Sequence, residues 1–432
     1  MVIVVGAGIA GLVAARALHD AGEEVVVVEA RDRIGGRTYT VDVGAASVDL
    51  GASWIHNGTS SPMLPYVESL GIERLVATPS EIVLGAAVLN RAAGRYADAE
   101  DRMALSVAMA SFVMNGAVRD ELPGGLNLAE GIDAAIPDCT PEARHNLGAL
   151  LAMYEGAEAN ELGFENFASL FFAAEGKDSD VWPEGGYRRV VVALAHGLDV
   201  RLSTVVERIE HGDDGVRVHT TGGVFDATHV IVTAPLGVLK AGAITFEPPL
   251  PESHQTAIAR VGFGVFEKVA LEYDKAVWQV DGATTHITAV DGQRVEWAVI
   301  LDASKWYDAP VLVGMAVGDS ARTLAAMTDD EKIAALHDVV VAAAGPGTPP
   351  PKASAVTSWT NDPFLRGCYT KVDAASDPTT QAADVATLAT PVGRVLFAGE
   401  HTNVTGTSTV DSAWVSGLRE ASRLLGREVT LP

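Results

Sequence analysis

Apolar residues follow two rhythms along this chain, and the first is the short unbroken run. Val2 to Val5 and Val25 to Val28 are each continuous, separated by a glycine-rich turn from Gly6 to Gly11 and a helical stretch from Leu12 to Ala21. Continuous β-branched runs belong to strands covered on both faces, so the pattern predicts one βαβ unit of a parallel sheet with a right-handed crossover. From Pro62 to about Leu170 the rhythm turns helical, with apolar positions Met103, Val107, Ala110, Val113 and Met114, and predicts a helical insertion.

Strand signals return at Val216 to His219 and Val224 to Ala227, joined by a Gly222-Gly223 turn, and at Val230 to Thr233. Further runs at Val269 to Tyr273, Val295 to Leu301 and Val311 to Val317 precede a helix from Asp329 to Ala344 that Gly345, Pro346 and Gly347 terminate. Val395 to Ala398 reads as a last buried strand, and a helix from about Ser412 to Leu425 closes the chain. The nucleotide-binding part is therefore expected to be discontinuous, with its last strand and helix supplied by the C-terminal end.

Composition narrows the class. The 432 residues exceed one compact core, and 48% hydrophobic with 20% charged residues is ordinary globular composition. With 31 Lys+Arg against 56 Asp+Glu the net charge is -25, which disfavours nucleic acid and anionic membranes and is compatible with a cationic substrate. Cys139 and Cys368 make no disulfide framework, and no Cys/His cluster has metal-site spacing. The chain opens directly on an apolar strand, with no room for a leader, and no stretch approaches the roughly 18 apolar residues of a membrane span. A cytoplasmic monomer or homodimer is expected.

Gly6, Gly8 and Gly11 stand in G-x-G-x-x-G spacing after a strand and before a helix. That spacing allows a tight turn, close approach of backbone to a pyrophosphate, and close packing of helix on strand. Glu29 ends the second strand, where a carboxylate accepts hydrogen bonds from a ribose lacking a 2'-phosphate. A dinucleotide site is expected, with NADP disfavoured.

The segment Glu29-Ala30-Arg31-Asp32-Arg33-Ile34-Gly35-Gly36-Arg37 then resembles the flavin-containing amine oxidases, among them polyamine and monoamine oxidases. The resemblance continues through Gly51-Ala52-Ser53-Trp54-Ile55-His56, Pro183-Glu184-Gly185-Gly186, Thr233 to Leu239, Glu267-Lys268-Val269, Trp359, Gly367-Cys368-Tyr369-Thr370 and Phe397-Ala398-Gly399-Glu400-His401-Thr402. It implies an α/β amine oxidase fold. A discontinuous Rossmann-like FAD-binding domain (residues 1–60, 180–245 and 385–432) would pair with an α+β substrate domain (61–179 and 246–384). It also implies FAD as cofactor, held by Gly6, Gly8, Gly11, Glu29, Ala30, Arg31, Gly35, Gly36, Gly51, Ala52, Ser53, Trp54, Trp359 and Gly399, with Arg37 by the pyrophosphate and ribityl region, Val206 at the adenine, Glu400 at the ribityl chain, and Thr409 and Val410 at the flavin ring. The two anionic phosphates call for such a cation.

The implied reaction moves a hydride from the carbon next to an amine nitrogen to flavin N5, after which water hydrolyses the imine and dioxygen yields hydrogen peroxide. Lys268 matches the family lysine that reaches N5 through a water; a lysine among apolar strand residues itself invites a functional reading. His56 matches a histidine of polyamine oxidases, although a lone histidine also serves as a structural hydrogen-bonder. Tyr369 is the implied wall of an aromatic cage, and Thr409 falls where monoamine oxidases place the second tyrosine. Glu155 and Glu158 resemble acidic substrate contacts, with a solvated helix end as the alternative for Glu158. Asp411 and Trp414 depart from the family pattern and are candidates for substrate contact, Asp411 alternatively for helix capping. FAD is expected to be held non-covalently, with a covalent link through Cys368 as the alternative. The expected substrate is a primary or secondary amine, a di- or polyamine preferred; monoamine or amino-acid oxidase, flavin desaturase, and a flavin-binding protein without turnover are the other readings.

Overall fold

The computed structural model describes residues 1–56, 60–77, 87–89, 96–97, 99–114, 121–165, 180–278, 286–287, 295–374 and 378–431. The opening unit folds as its pattern predicts. Strand β1 (Val2–Val5), helix α1 (Ile9–Asp20) and strand β2 (Val25–Val28) form a βαβ unit, with every β1 and β2 residue buried. Helix α1 begins earlier than the apolar pattern suggests, because Gly11 sits within its first turns and not in the loop.

Five strands make the parallel sheet, in the order Val395–Phe397, His229–Val232, β1, β2, Asp199–Arg201. Val2 lies opposite both His229 and Val25, so segments more than 200 residues apart share one register. A second, antiparallel sheet runs Ala353–Val356, β3 (Phe266–Glu272), Val311–Val317, Val299–Asp302, Ala87–Leu89. Here β3 is an interior strand, with all seven residues buried. A smaller sheet contains the expected hairpin, Val216–Thr220 paired with Gly223–Ala227. The helices Asp329–Ala344 and α2 (Val410–Leu425) form where expected, α2 starting slightly earlier because the Thr409 side chain caps it by accepting from Ser412 N.

The region from Pro62 to Leu170 is less purely helical than its pattern suggests, and residues 78–86, 90–95, 98, 115–120 and 166–170 of it lie outside the described ones. Arg74–Ala77 pairs with Asp180–Pro183, and Ala87–Leu89 adds an edge to the second sheet. In the helix Ala99–Met114 the apolar positions read from the sequence face the wrong way: Met103 is 64%, Val107 50% and Met114 83% exposed. Leu105, Ala108 and Phe112 are buried instead, in one core with Leu147, Leu150 and Leu151 of the helix Pro141–Met153. That helix carries two apolar stripes, and tertiary packing selects between them. Among the described residues no helix is long and apolar enough to cross a membrane.

Candidate active site

A cavity of about 1100 Å³ opens beyond the carboxyl ends of β1, β2 and His229–Val232, touching Val5, Val28 and Thr233, and extends to the face of β3. Ligands in open α/β sheets bind at that edge, and the volume exceeds the roughly 300–1,000 Å³ of ordinary ligand pockets. The cavity has two chemically distinct ends.

The first is built from backbone. Gly6 adopts φ +105°, and a Cβ there would stand 2.6 Å from Thr233 Oγ1. A Cβ on Gly11 would collide with Gly6 O, so Gly11 brings α1 onto the turn without itself lining the cavity. Gly8 bridges to Gly35, drawing the two glycine segments together. Glu29 accepts from Ala7 N at 2.7 Å and from Arg31 N at 2.9 Å, which ties the end of β2 to the turn after β1. No side chain caps α1 at Gly8. A bare helix start with a glycine cradle fits a pyrophosphate, and Glu29 beside it fits a ribose.

Gly6, Gly8, Glu29, Ala30, Arg31, Gly35, Gly36, Arg37, Val206 and Trp359 all line this half of the cavity, as do Gly399 and Glu400. Arg31 pairs with Asp362 at 2.6 Å. Arg37 Nη1 donates to Glu400 and to Cys368 O, both at 2.7 Å. Burial alone would raise the Glu400 carboxyl, but Arg37 and His401 hold it below its usual range. His401 is pushed down to about 4 by burial, and its Nδ1 has no partner. The sequence-derived cofactor residues therefore fit a dinucleotide with an anionic diphosphate.

The second end is built from side chains delivered by distant segments. Lys268, on β3, is 5% exposed and donates from Nζ to Gly51 O at 2.7 Å, Ser53 Oγ at 2.7 Å and Asp49 O at 3.4 Å. Its position on an interior strand keeps it from facing solvent at a sheet edge. Burial pushes its amine down to about 8, against the opposing pull of Asp49. The Trp54 ring lies 5.8 Å from Nζ, and Gly51, Ala52, Ser53 and Trp54 form the adjoining wall. Beyond Trp54 stands His56, whose Nδ1 is 3.0 Å from Asp180 Oδ1. The pairing of Ile55 with Val181 sets this contact, since antiparallel register then puts 56 opposite 180.

Tyr369 lines the cavity with its ring 6.2 Å from Phe266, and its hydroxyl donates to Met153 O. Thr409 and Val410 line the wall at the start of α2. Cys368 is buried, and burial pushes its thiol up, so it stays protonated near neutral pH.

Of the four candidates for substrate contact, three lie off the cavity wall and the fourth, Glu155, lines it in a different protonation state from the one expected. Glu158 lies outside the cavity: it caps the turn Ala159–Glu161 and accepts from Asp319 N at 3.0 Å, which turns its carboxylate away. Glu155 does line the cavity, but enclosure pushes its carboxyl up to about 8, so it is an acid and not an anion at neutral pH. Asp411 is off the cavity wall, accepting from Ser61 Oγ at 2.7 Å in the first turn of α2. Trp414 is 1% exposed and packs against Tyr66, a core role that follows from its position one turn into α2.

Sequence reading missed Asp49, Asp180 and Tyr154. Asp180 and Tyr154 both line the cavity, and Asp49 lies behind Lys268. Asp49 carries a signal that was available: a carboxylate directly ahead of the Leu50-Gly51 segment. Asp180 carries none, because only the pairing across Ile55 and Val181 brings it to His56.

Across residues 9–425 the sequence matches the family described as flavin containing amine oxidoreductase. It is 33% identical to a lysine-specific histone demethylase 1 homolog 2 of Oryza sativa over 98% of this chain, but spans only 57% of that relative's length. It is 31% identical to a probable polyamine oxidase 4 of Arabidopsis thaliana, over 96% of this chain and 85% of the relative. Among solved structures, cyclohexylamine oxidase from Brevibacterium oxydans superposes with a TM-score of 0.78 at 26% identity, covering 99% of both chains.

Proposed function

The chain belongs to the flavin-containing amine oxidoreductase family, and on that premise we propose that it oxidises a primary or secondary amine, a di- or polyamine by preference. Bound FAD supplies the acceptor for the hydride leaving the carbon next to nitrogen, and dioxygen takes up those electrons as hydrogen peroxide. The observation that carries the reading is Lys268, a buried amine held by Gly51 O and Ser53 Oγ on the cavity wall beside Trp54. With its amine pushed down to about 8, Lys268 can give up a proton just above neutral pH, as suits a residue assisting imine hydrolysis.

Trp54 and Tyr369 supply apolar walls that exclude water and orient the reacting carbon. His56 and Asp180 supply the acceptor for a second ammonium, which supports the preference for a diamine over a monoamine. The cofactor is assigned to residues 1–60, 180–245 and 385–432 and the substrate to the remainder, except that Trp54, His56 and Asp180 reach the substrate end from the cofactor segments. A non-covalent FAD is supported by the buried, protonated Cys368 thiol. The free cysteines Cys139 and Cys368 support a cytoplasmic setting.

Peroxide release tests the reading, measured with putrescine, spermidine, spermine, tyramine, phenylethylamine and an N-methyl-lysine peptide. Peroxide with the diamines and polyamines above the monoamines is expected; silence across the whole panel overturns it. Acid precipitation of the holoprotein is expected to leave flavin in the supernatant, and flavin in the pellet would reverse the assignment for Cys368.

A further inference from the structure

Lys268 and Asp49 are each incompletely matched. The lysine ammonium spends its donors on two backbone carbonyls and a serine hydroxyl, all neutral, from the last residue of the strand Ala46–Asp49 and the segment that follows it. A buried charge without an anionic partner is costly. Asp49 is 1% exposed; its Oδ1 accepts from Thr40 Oγ and Tyr187 N, while Oδ2 is buried with no donor. A buried cation without an anion in contact thus sits next to a buried carboxyl with an empty oxygen, joined through the Asp49 carbonyl.

We propose that Asp49 is a positioning residue for Lys268, the two groups titrating as one unit whose carboxylate keeps the lysine charged through neutral pH. The groups facing the pair are few. Asp49 faces Lys268 and Arg188, and the hydroxyls of Tyr187 and Tyr307, which burial and the Asp49 charge keep neutral. Lys268 faces Asp49. Its strand neighbour Glu267 points the other way, accepting from Thr357 Oγ, Trp359 N and Thr360 N.

Burial raises the Asp49 carboxyl to about 7, held down partly by Thr40, Tyr187 and Lys268, and lowers the Lys268 amine to about 8. Below this window the pair holds two protons, within it one, and above it none, so the two steps belong to the pair. Proton transfer at Lys268 is then adjustable through a residue that never touches substrate.

The inference rests on Lys268 being the amine-oxidising lysine. The test measures the pH profile of kcat/KM for one amine in FAD-loaded wild type, Asp49→Asn and Thr40→Val, together with pH titration of the resting protein's flavin absorption. Asp49→Asn is expected to move the step near pH 8 downward by about one unit or more, in both readouts, because the carboxylate that favours the ammonium is gone. Thr40→Val is expected to move the lower step upward, since the carboxylate loses a donor. Steps that stay in place in variants that retain FAD overturn the proposal. If Asp49→Asn does not yield folded protein, Thr40→Val decides alone. If no amine is turned over, the functional reading fails, while the flavin titration still decides the role of Asp49.

Discussion

The two ends of the cavity are made by opposite means. At the nucleotide end, residues within one stretch of chain, from Gly6 to Arg37, do most of the work, and they do it largely with backbone. A turn that tolerates no Cβ at Gly6, a bare helix start and one carboxylate at Glu29 are sufficient. At the substrate end Lys268, Ser53, His56 and Asp180 come from three separate segments, and each is defined by what its side chain touches. Local construction suits a site for a common cofactor; under the proposed function, dispersed construction lets single side chains decide proton state and substrate.

That contrast makes the ends break differently. The largest effect is expected from Lys268→Met, which should lower kcat for amine oxidation by roughly 10²- to 10⁴-fold while FAD content is unchanged; parallel loss of FAD and turnover would erase the distinction. Next is Glu29→Ala, which removes an acceptor shared by two backbone amides. Loss of about 1.5–3 kcal/mol should weaken FAD binding roughly 10- to 100-fold, read by titrating apoprotein with FAD, with kcat at saturating FAD close to wild type.

Asp180→Asn sharpens the substrate end alone. The carboxylate is 15% exposed and faces the cavity, and replacing its charge should cost about 1 kcal/mol, so KM for putrescine should rise roughly three- to tenfold and that for phenylethylamine should not change. The smallest effect belongs to Glu158→Gln, which lies outside the cavity: KM for every amine should stay the same. Thermal unfolding should show a loss of no more than about 1 kcal/mol from the weakened cap. A KM change confined to diamines in Glu158→Gln would restore the acidic contact that the resemblance implied.

The same contrast explains how much was legible in the amino-acid order. β1, α1 and β2 were readable because continuous Val runs and G-x-G-x-x-G spacing are local signals with one structural solution. Lys268 was readable from the resemblance and as a lysine in a mostly apolar run beside Glu267, and the interior position of β3 makes that placement meaningful. Glu158 misled because a carboxylate at a helix end has the same sequence appearance whether it faces a cavity or caps a turn. Met103, Val107 and Met114 misled because that helix carries two apolar stripes, and only the packing against Leu147, Leu150 and Leu151 distinguishes them. Asp180 was invisible, since its partnership with His56 exists only through strand pairing across 124 positions.

The most direct test of the central claim is anaerobic mixing of the FAD-loaded protein with putrescine, following the visible flavin absorption. Bleaching in wild type, much slowed in Lys268→Met at equal FAD content, is the expected result. A flavin that stays oxidised with putrescine and every other amine of the panel, yet is reduced by dithionite, would contradict the assignment of this cavity to amine oxidation.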